Sequence, residues 1–244
     1  RIYRLVTTLV LAVLPVIVLL WSISLSSSHG PYRLASNYDP AYAYLHNSIS
    51  LVQGMQVGHT DHPGATLQRL GAGVLLLLHG AAGQAGIEQD VLSRPEYYLA
   101  AIHLCLASIL STSILIGGVV FRIVSDSLCL ALIFHAVPFL SIITRDALYK
   151  VSPEPLLLSL SIILATFVFY HINLIERGVK KEPVVAYGIL TGLGVSLKLT
   201  FIPLILLPLS VLHGLSSRLK FLAVGMATFL VIAGNPLMGR MSFL

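Results

Sequence analysis

Three stretches of the chain hold residues whose types and spacing could do chemistry. The first is Asn37-Tyr38-Asp39-Pro40-Ala41-Tyr42. A carboxylate beside phenols at a membrane–water boundary is placed to act as a general base. Asp39 equally suits a helix N-cap, with Pro40 at the first helical position. The two readings agree, since a cap fixes where a carboxylate points. The second stretch is His59-Thr60-Asp61-His62-Pro63-Gly64. Two imidazoles and a carboxylate within four residues are ligand types for zinc or manganese. A polar turn ending in Pro-Gly contains the same residues, so no cofactor is assigned and a divalent metal stays open as the alternative. The third stretch, residues 144–154, packs Arg145, Asp146, Lys150 and Glu154 into one short loop. Its cations suit a phosphate and its acids suit a sugar or an acceptor hydroxyl. A solvated turn leading into a capped helix accounts for them too. Lys198 is set apart, being a cation inside an apolar run. A charge within the membrane is a functional candidate by default, although its stem can also snorkel outward.

The elements that must position these residues are membrane helices. The chain has 244 residues, of which 56% are hydrophobic and 10% charged. The mean hydropathy is +0.89. Soluble domains carry roughly a quarter charged residues, so a soluble enzyme, a disordered chain and a disulfide scaffold are all excluded. The net charge of +5 fits Lys and Arg in cytoplasmic loops and gives no reason to invoke nucleic acid. Cys105 and Cys129 lie in apolar runs and read as packing residues. Because the chain opens on Arg1 and stops after an apolar run, it is expected to be part of a longer polypeptide.

A crossing helix needs about 20 mostly apolar residues. Runs that qualify or nearly so are Leu5–Leu25, Tyr97–Val120, Leu128–Ile143, Leu156–Ile175, Val184–Ile202, Leu204–Leu215 and Phe221–Leu237. Ser93-Arg94-Pro95-Glu96 has the form of a capping box, and Ser152-Pro153-Glu154 is a second helix start. Pro203 is expected to divide its two neighbouring runs. Leu67–Leu78 is short and contains Arg69. If it crossed, Arg177, Lys180 and Lys181 would fall outside; if it does not, every short basic loop falls inside, as the positive-inside rule asks. It therefore reads as interfacial or re-entrant. The expectation is an all-α polytopic membrane protein, a single module over 1–244 with about seven transmembrane helices. Its N-terminus is cytoplasmic. Residues 26–94 form a large first outer loop with amphipathic interfacial helices, and 144–154 form a short second outer loop. Within the first loop, apolar residues at 41, 45, 49 and 52 make a helical stripe that Gly54 would end. Gly188, Gly192 and Gly194 read as close helix packing, not as a nucleotide loop.

Taken together these residues resemble the GT-C superfamily of polytopic glycosyltransferases, within it the protein O-mannosyltransferase and aminoarabinose-transferase branch. The resemblance rests on a first span followed by a long outer loop, on Tyr38-Asp39-Pro40-Ala41-Tyr42, and on Asp61-His62-Pro63-Gly64. It rests further on Ser152-Pro153-Glu154-Pro155 and on the glycine-rich span ending in Ser196-Leu197-Lys198-Leu199-Thr200. In topology it covers nearly the whole chain, and in motif about 40 residues. Family members are usually longer, with more spans.

The resemblance implies an inverting transfer of a sugar from a polyprenyl-phosphate lipid to an acceptor, on the periplasmic or extracellular face of a bacterial inner or plasma membrane. It implies Asp39 as the base, and Asp146 or Glu154 at the second-loop acidic position. Arg145, Lys150 and Lys198 become candidates for the lipid phosphate, while Asp61 and His62, with Tyr42, shape the sugar or acceptor pocket. Two other classes compete. A catalytically silent GT-C-like subunit of a larger membrane complex would tolerate loss of these acids but not of its lipid-facing surfaces. A lipid or solute transporter would show inverted repeats and broken helices, of which the division at Pro203 is the one hint.

Overall fold

The computed structural model describes residues 2–34, 41–58, 64–80, 86–140 and 142–241, with side chains over 6–34, 41–58, 64–80, 86–140 and 144–234. Among the described residues the regular structure is all helical. Asp39, Asp61 and His62, with His59, lie outside them. Four helices form the frame: α1 (Ile2–His29), α5 (Pro95–Ser125), α8 (Pro153–Glu176) and α11 (Gly214–Met241). Each contains a stretch long and apolar enough to cross a bilayer, which fits an integral membrane protein. The three other apolar runs form shorter helical segments, Leu128–Leu140, Val184–Leu197 and Leu199–Val211. Each is shorter than the roughly 20 residues of a straight crossing.

Two of the short segments correct the sequence reading. The run from Leu128 is not one helix. It splits into α6 (Leu128–Ala136), a 3-10 turn at Val137–Leu140, and α7 (Ile142–Ala147). Pro138 has no N–H to donate and its ring crowds the carbonyl four residues back, so the α-helix ends before it. The break expected at Pro203 falls earlier. The glycine-rich helix α9 (Val184–Leu197) ends at Lys198, which is extended with φ −158° and ψ 133°. A 3-10 segment, Leu199–Ile205, and α10 (Leu206–Val211) follow. The ring of Phe201 folds back onto Gly194, where any Cβ would collide with it. Lys198 thus sits at a backbone break and not inside a continuous span.

The helices run between two ends. α1 and α11 point toward one end, and α5 and α8 away from it. That end gathers three further helices of the first loop: α2 (Ala41–Val52), α3 (Ala65–His79) and α4 (Ile87–Ser93). The expected stripe on α2 is real, but it faces protein and not lipid. Ala41, Leu45, Ile49 and Val52 are all buried, in a core shared with Leu67 and Leu75 of α3, Val91 of α4 and Leu99 of α5. Tyr44 is buried in the same core. Gly54 ends the helix with φ 69°, a conformation only glycine adopts freely.

α3 is the short run that contains Arg69, and it packs beside α9 and α11. Its N-terminus docks on the last turn of α9, where the Gly64 N–H and the Thr66 hydroxyl donate to the Leu197 and Leu193 carbonyls at 3.0 and 2.9 Å. Arg69 donates to the Ile232 and Val231 carbonyls of α11 at 2.8 and 2.9 Å. Pro236, four residues beyond Ile232, has no N–H, so the Ile232 carbonyl lacks its helical donor and the guanidinium replaces it.

Toward the other end the packing depends on small residues and rings. Phe121 of α5 is sandwiched between Phe134 of α6 and Phe169 of α8, with ring centroids 4.0 and 4.1 Å apart. Gly188 and Gly192 of α9 meet Val224, Gly225 and Thr228 of α11, where a Cβ on either glycine would fall 2.6 Å from its neighbour. The glycines expected to serve helix packing do so. Cys105 and Cys129 are free thiols.

Candidate functional site

Polar side chains concentrate at the end that carries α2 to α4, and three carboxylates organise it. Glu96 sits in the first turn of α5. It does not close a capping box. Arg94 takes the N-cap position, and the Ser93 hydroxyl donates instead to the Asp90 carbonyl at 2.8 Å. Glu96 accepts from the Tyr32 N–H at 2.9 Å, the Arg33 N–H at 3.2 Å and the Tyr42 hydroxyl at 2.8 Å. One carboxylate therefore ties the chain leaving α1, the start of α2 and the start of α5. Burial and the Glu96 carboxylate push the Tyr42 phenol above its ordinary value.

Asp90 of α4 is the second. Arg94 binds it through two nitrogens, each at 2.9 Å, while the Tyr98 hydroxyl donates to it and the His79 ring approaches to 3.2 Å. The Arg94 guanidinium, helped by Tyr98 and His79, holds the Asp90 carboxyl well below the usual carboxylate range. In the sequence Glu96 reads only as part of a helix start and Asp90 is not singled out, because their partners lie largely on other elements.

The third centre is the 144–154 loop. The Leu148 carbonyl accepts from the Ser22 hydroxyl and lies 2.8 Å from His103 Nε2; the two side chains are themselves 3.0 Å apart. All three residues are buried. This node fastens the loop between α1 and α5, well below their ends: seven residues of α1, about 10 Å, rise beyond Ser22. Asp146 accepts from Lys150 at 2.6 Å and from Tyr149 at 3.0 Å, and the Tyr149 ring stacks on His29 with centroids 3.8 Å apart. Lys150 holds the Asp146 carboxyl below its usual value. Burial opposes the charge on Lys150, and Asp146 outweighs it, so the ammonium titrates above its ordinary value.

Glu154, in the first turn of α8, accepts from Lys198 at 2.7 Å, and each side chain is 23% exposed. The pair joins the start of α8 to the break after α9. Glu154 also lines a cavity of about 200 Å³ beside Thr144, Ala147, Ser161 and Leu110. Arg145 takes a different direction. Its guanidinium lies over the Trp21 ring of α1, 5.8 Å from the centroid.

The predicted site residues therefore separate into pairs. Glu154 meets Lys198, Asp146 meets Lys150, Tyr42 meets Glu96, and Arg145 meets Trp21. Asp39, Asp61 and His62 lie outside the described residues. Among the described residues no group of three His, Cys, Asp or Glu could hold a metal ion. No family model, no curated protein and no solved structure matches this chain.

Proposed function

We propose that the protein transfers a sugar from a polyprenyl-phosphate donor to an acceptor hydroxyl at the end that carries the first loop. The observation that carries this reading is the half-buried Glu154–Lys198 pair, set where α8 begins and α9 breaks, with its carboxylate on the wall of a cavity. An ammonium held by one carboxylate is poised to turn toward an incoming phosphate. The charge distribution supports the orientation. Arg4, Arg122, Arg177, Lys180, Lys181, Arg218 and Lys220 belong to the opposite end, which the positive-inside rule makes cytoplasmic. The three short apolar segments then complete seven membrane passages, and the site faces outward.

In this reaction the acceptor oxygen attacks the anomeric carbon as the bond to the phosphate oxygen breaks. The phosphate leaves with the bonding pair, and the acceptor proton passes to Asp39. Cations stabilise the leaving phosphate. The assay gives membranes bearing the protein undecaprenyl-phosphate mannose or undecaprenyl-phosphate aminoarabinose, and follows release of undecaprenyl phosphate. Asp39→Asn is expected to lower turnover by about 100-fold or more. Full turnover in that variant removes Asp39 as base, and no sugar release from either donor in the wild-type protein ends this reading.

A structural role in a larger complex is the second reading, and one observation favours it. Glu88, Asp90, Glu96, Asp146 and Glu154 each already have a hydrogen-bonding partner within the chain. Sugar transfer that depends on Asp39 would exclude it.

A further inference from the structure

Arg145 differs from the two other cations proposed for the phosphate, Lys150 of its own loop and Lys198 at the break after α9. Lys150 is held by Asp146 and Lys198 by Glu154, whereas the Arg145 guanidinium has no carboxylate partner among the described residues. It rests at the mouth of a groove of about 490 Å³ on the side of the molecule. One wall is a single face of α1, where Leu14, Val18 and Trp21 follow helical spacing. The other wall is Ala136, Phe139 and Leu140. The groove lies where α6 stops at Ala136 and tightens into the 3-10 turn beside α1. It runs about 10 Å along α1. Its rim is apolar and open, with Ile17 50% and Leu140 84% exposed, the arrangement of a surface that meets acyl chains. Trp21 beneath the guanidinium has the chemistry of the aromatic belt at headgroup depth.

A one-lane apolar track ending under a permanently charged fork, with no carboxylate partner among the described residues, matches one kind of ligand. We propose that this groove seats the first part of the chain of a single-chain lipid monophosphate, with the phosphate on Arg145. A guanidinium binds phosphate through two parallel N–H donors, and here it already lies over the Trp21 ring at the end of the groove. The proposal deepens the function proposed above and rests on it for the class of lipid. It also narrows the three phosphate candidates of the sequence to one for the resting lipid, since Lys150 and Lys198 are already engaged.

The test uses the intact protein in detergent micelles and needs no added label, because Trp21 is the one tryptophan of the chain. Undecaprenyl phosphate is expected to change Trp21 emission saturably. Undecaprenol, with the same chain and no phosphate, is expected to bind roughly tenfold more weakly or worse, as is undecaprenyl phosphate to Arg145→Gln. Arg145→Lys keeps the charge and is expected to recover part of the loss. Equal response to the phosphate and the alcohol overturns the proposal on the wild-type protein alone, whatever the variants do. So does displacement by dioleoylphosphatidylglycerol at equal concentration, which would make the groove a general seat for anionic phospholipid. Binding as expected without sugar transfer keeps the groove and removes the enzyme. Transfer with binding indifferent to Arg145 does the reverse.

Discussion

The two ends of the molecule are built from different materials. The end bearing the first loop is held by carboxylates that reach other elements: Glu96 collects donors from the segment after α1 and from α2, Asp90 from three side chains, and Glu154 from Lys198 at the break after α9. The opposite half is held by volume, through the Phe134–Phe121–Phe169 stack and the glycine seam between α9 and α11. Charge follows the same division. Among the residues whose side chains are described, the first-loop end sets six Lys and Arg against five Asp and Glu, and the opposite end six against three. Pairing consumes the charge where the chain must be shaped. Where orientation is the requirement, the charge is left in excess.

The largest effect should come from breaking the seam. In Gly192→Ala the new Cβ falls 2.6 Å from the Gly225 carbonyl, a backbone atom that has little room to give. A loss of about 1–3 kcal/mol is expected in unfolding by SDS in mixed micelles followed by circular dichroism. Gly73→Ala on α3 is the matched control, since nothing lies within 4 Å of its Cβ. It should be neutral or stabilising by up to about 1 kcal/mol. Equal losses in the two would erase the distinction drawn between the ends.

Next in size is Lys198→Met, which leaves the Glu154 carboxylate half-buried without its cation. The same unfolding measurement should show a loss of about 2 kcal/mol, smaller than for a fully buried pair because both groups are 23% exposed. Adding Glu154→Gln should restore most of that loss. A double variant no better than the single one would show that the pair is not the link between α8 and α9.

Acid gives the smallest and most local effect. The folded-state values of Asp90 and Asp146 lie below their unfolded ones. The stability each supplies is therefore complete above the ordinary carboxylate value, about 3.9, and drains away as pH falls below it through the depressed folded value. Hydrogen exchange at pH 3 should show residues 87–98 and 144–151 loosening relative to pH 6, while the α9–α11 seam stays protected. Uniform loosening would mean that the carboxylates do not hold their end separately.

Much of the frame was legible in the sequence. Long apolar runs and Pro-led starts marked α1, α5, α8 and α11, and the glycines of α9 announced close packing. What the sequence could not show depended on distant partners. The stripe on α2 identifies a face to be covered, but lipid and protein cover it equally well by pattern. The Ser-x-x-Glu at 93–96 fits a local cap, and only the folded chain brings Tyr32, Arg33 and Tyr42 to Glu96 instead. Pro203 marks a break without fixing where it falls, which Phe201 and Gly194 decide five residues earlier. Of the candidate site, the sequence reading gave the loop's cations to a phosphate and its acids to a sugar, and the pairing of Asp146 with Lys150 and of Glu154 with Lys198, 44 positions away, came only with the folded chain. The direction of Arg145 had no sequence signal at all.

The bond from Arg69 to the Ile232 carbonyl spans 163 positions, from the first loop to the closing helix. At roughly 5–20 residues per second of synthesis, α3 waits on the order of ten seconds for the partner that completes its seating. Through that interval the guanidinium stands beside the bilayer with its final acceptors not yet made. The end that would carry the chemistry is therefore latched by a helix made long after its own, and α3 is fully seated only once α11 has been made.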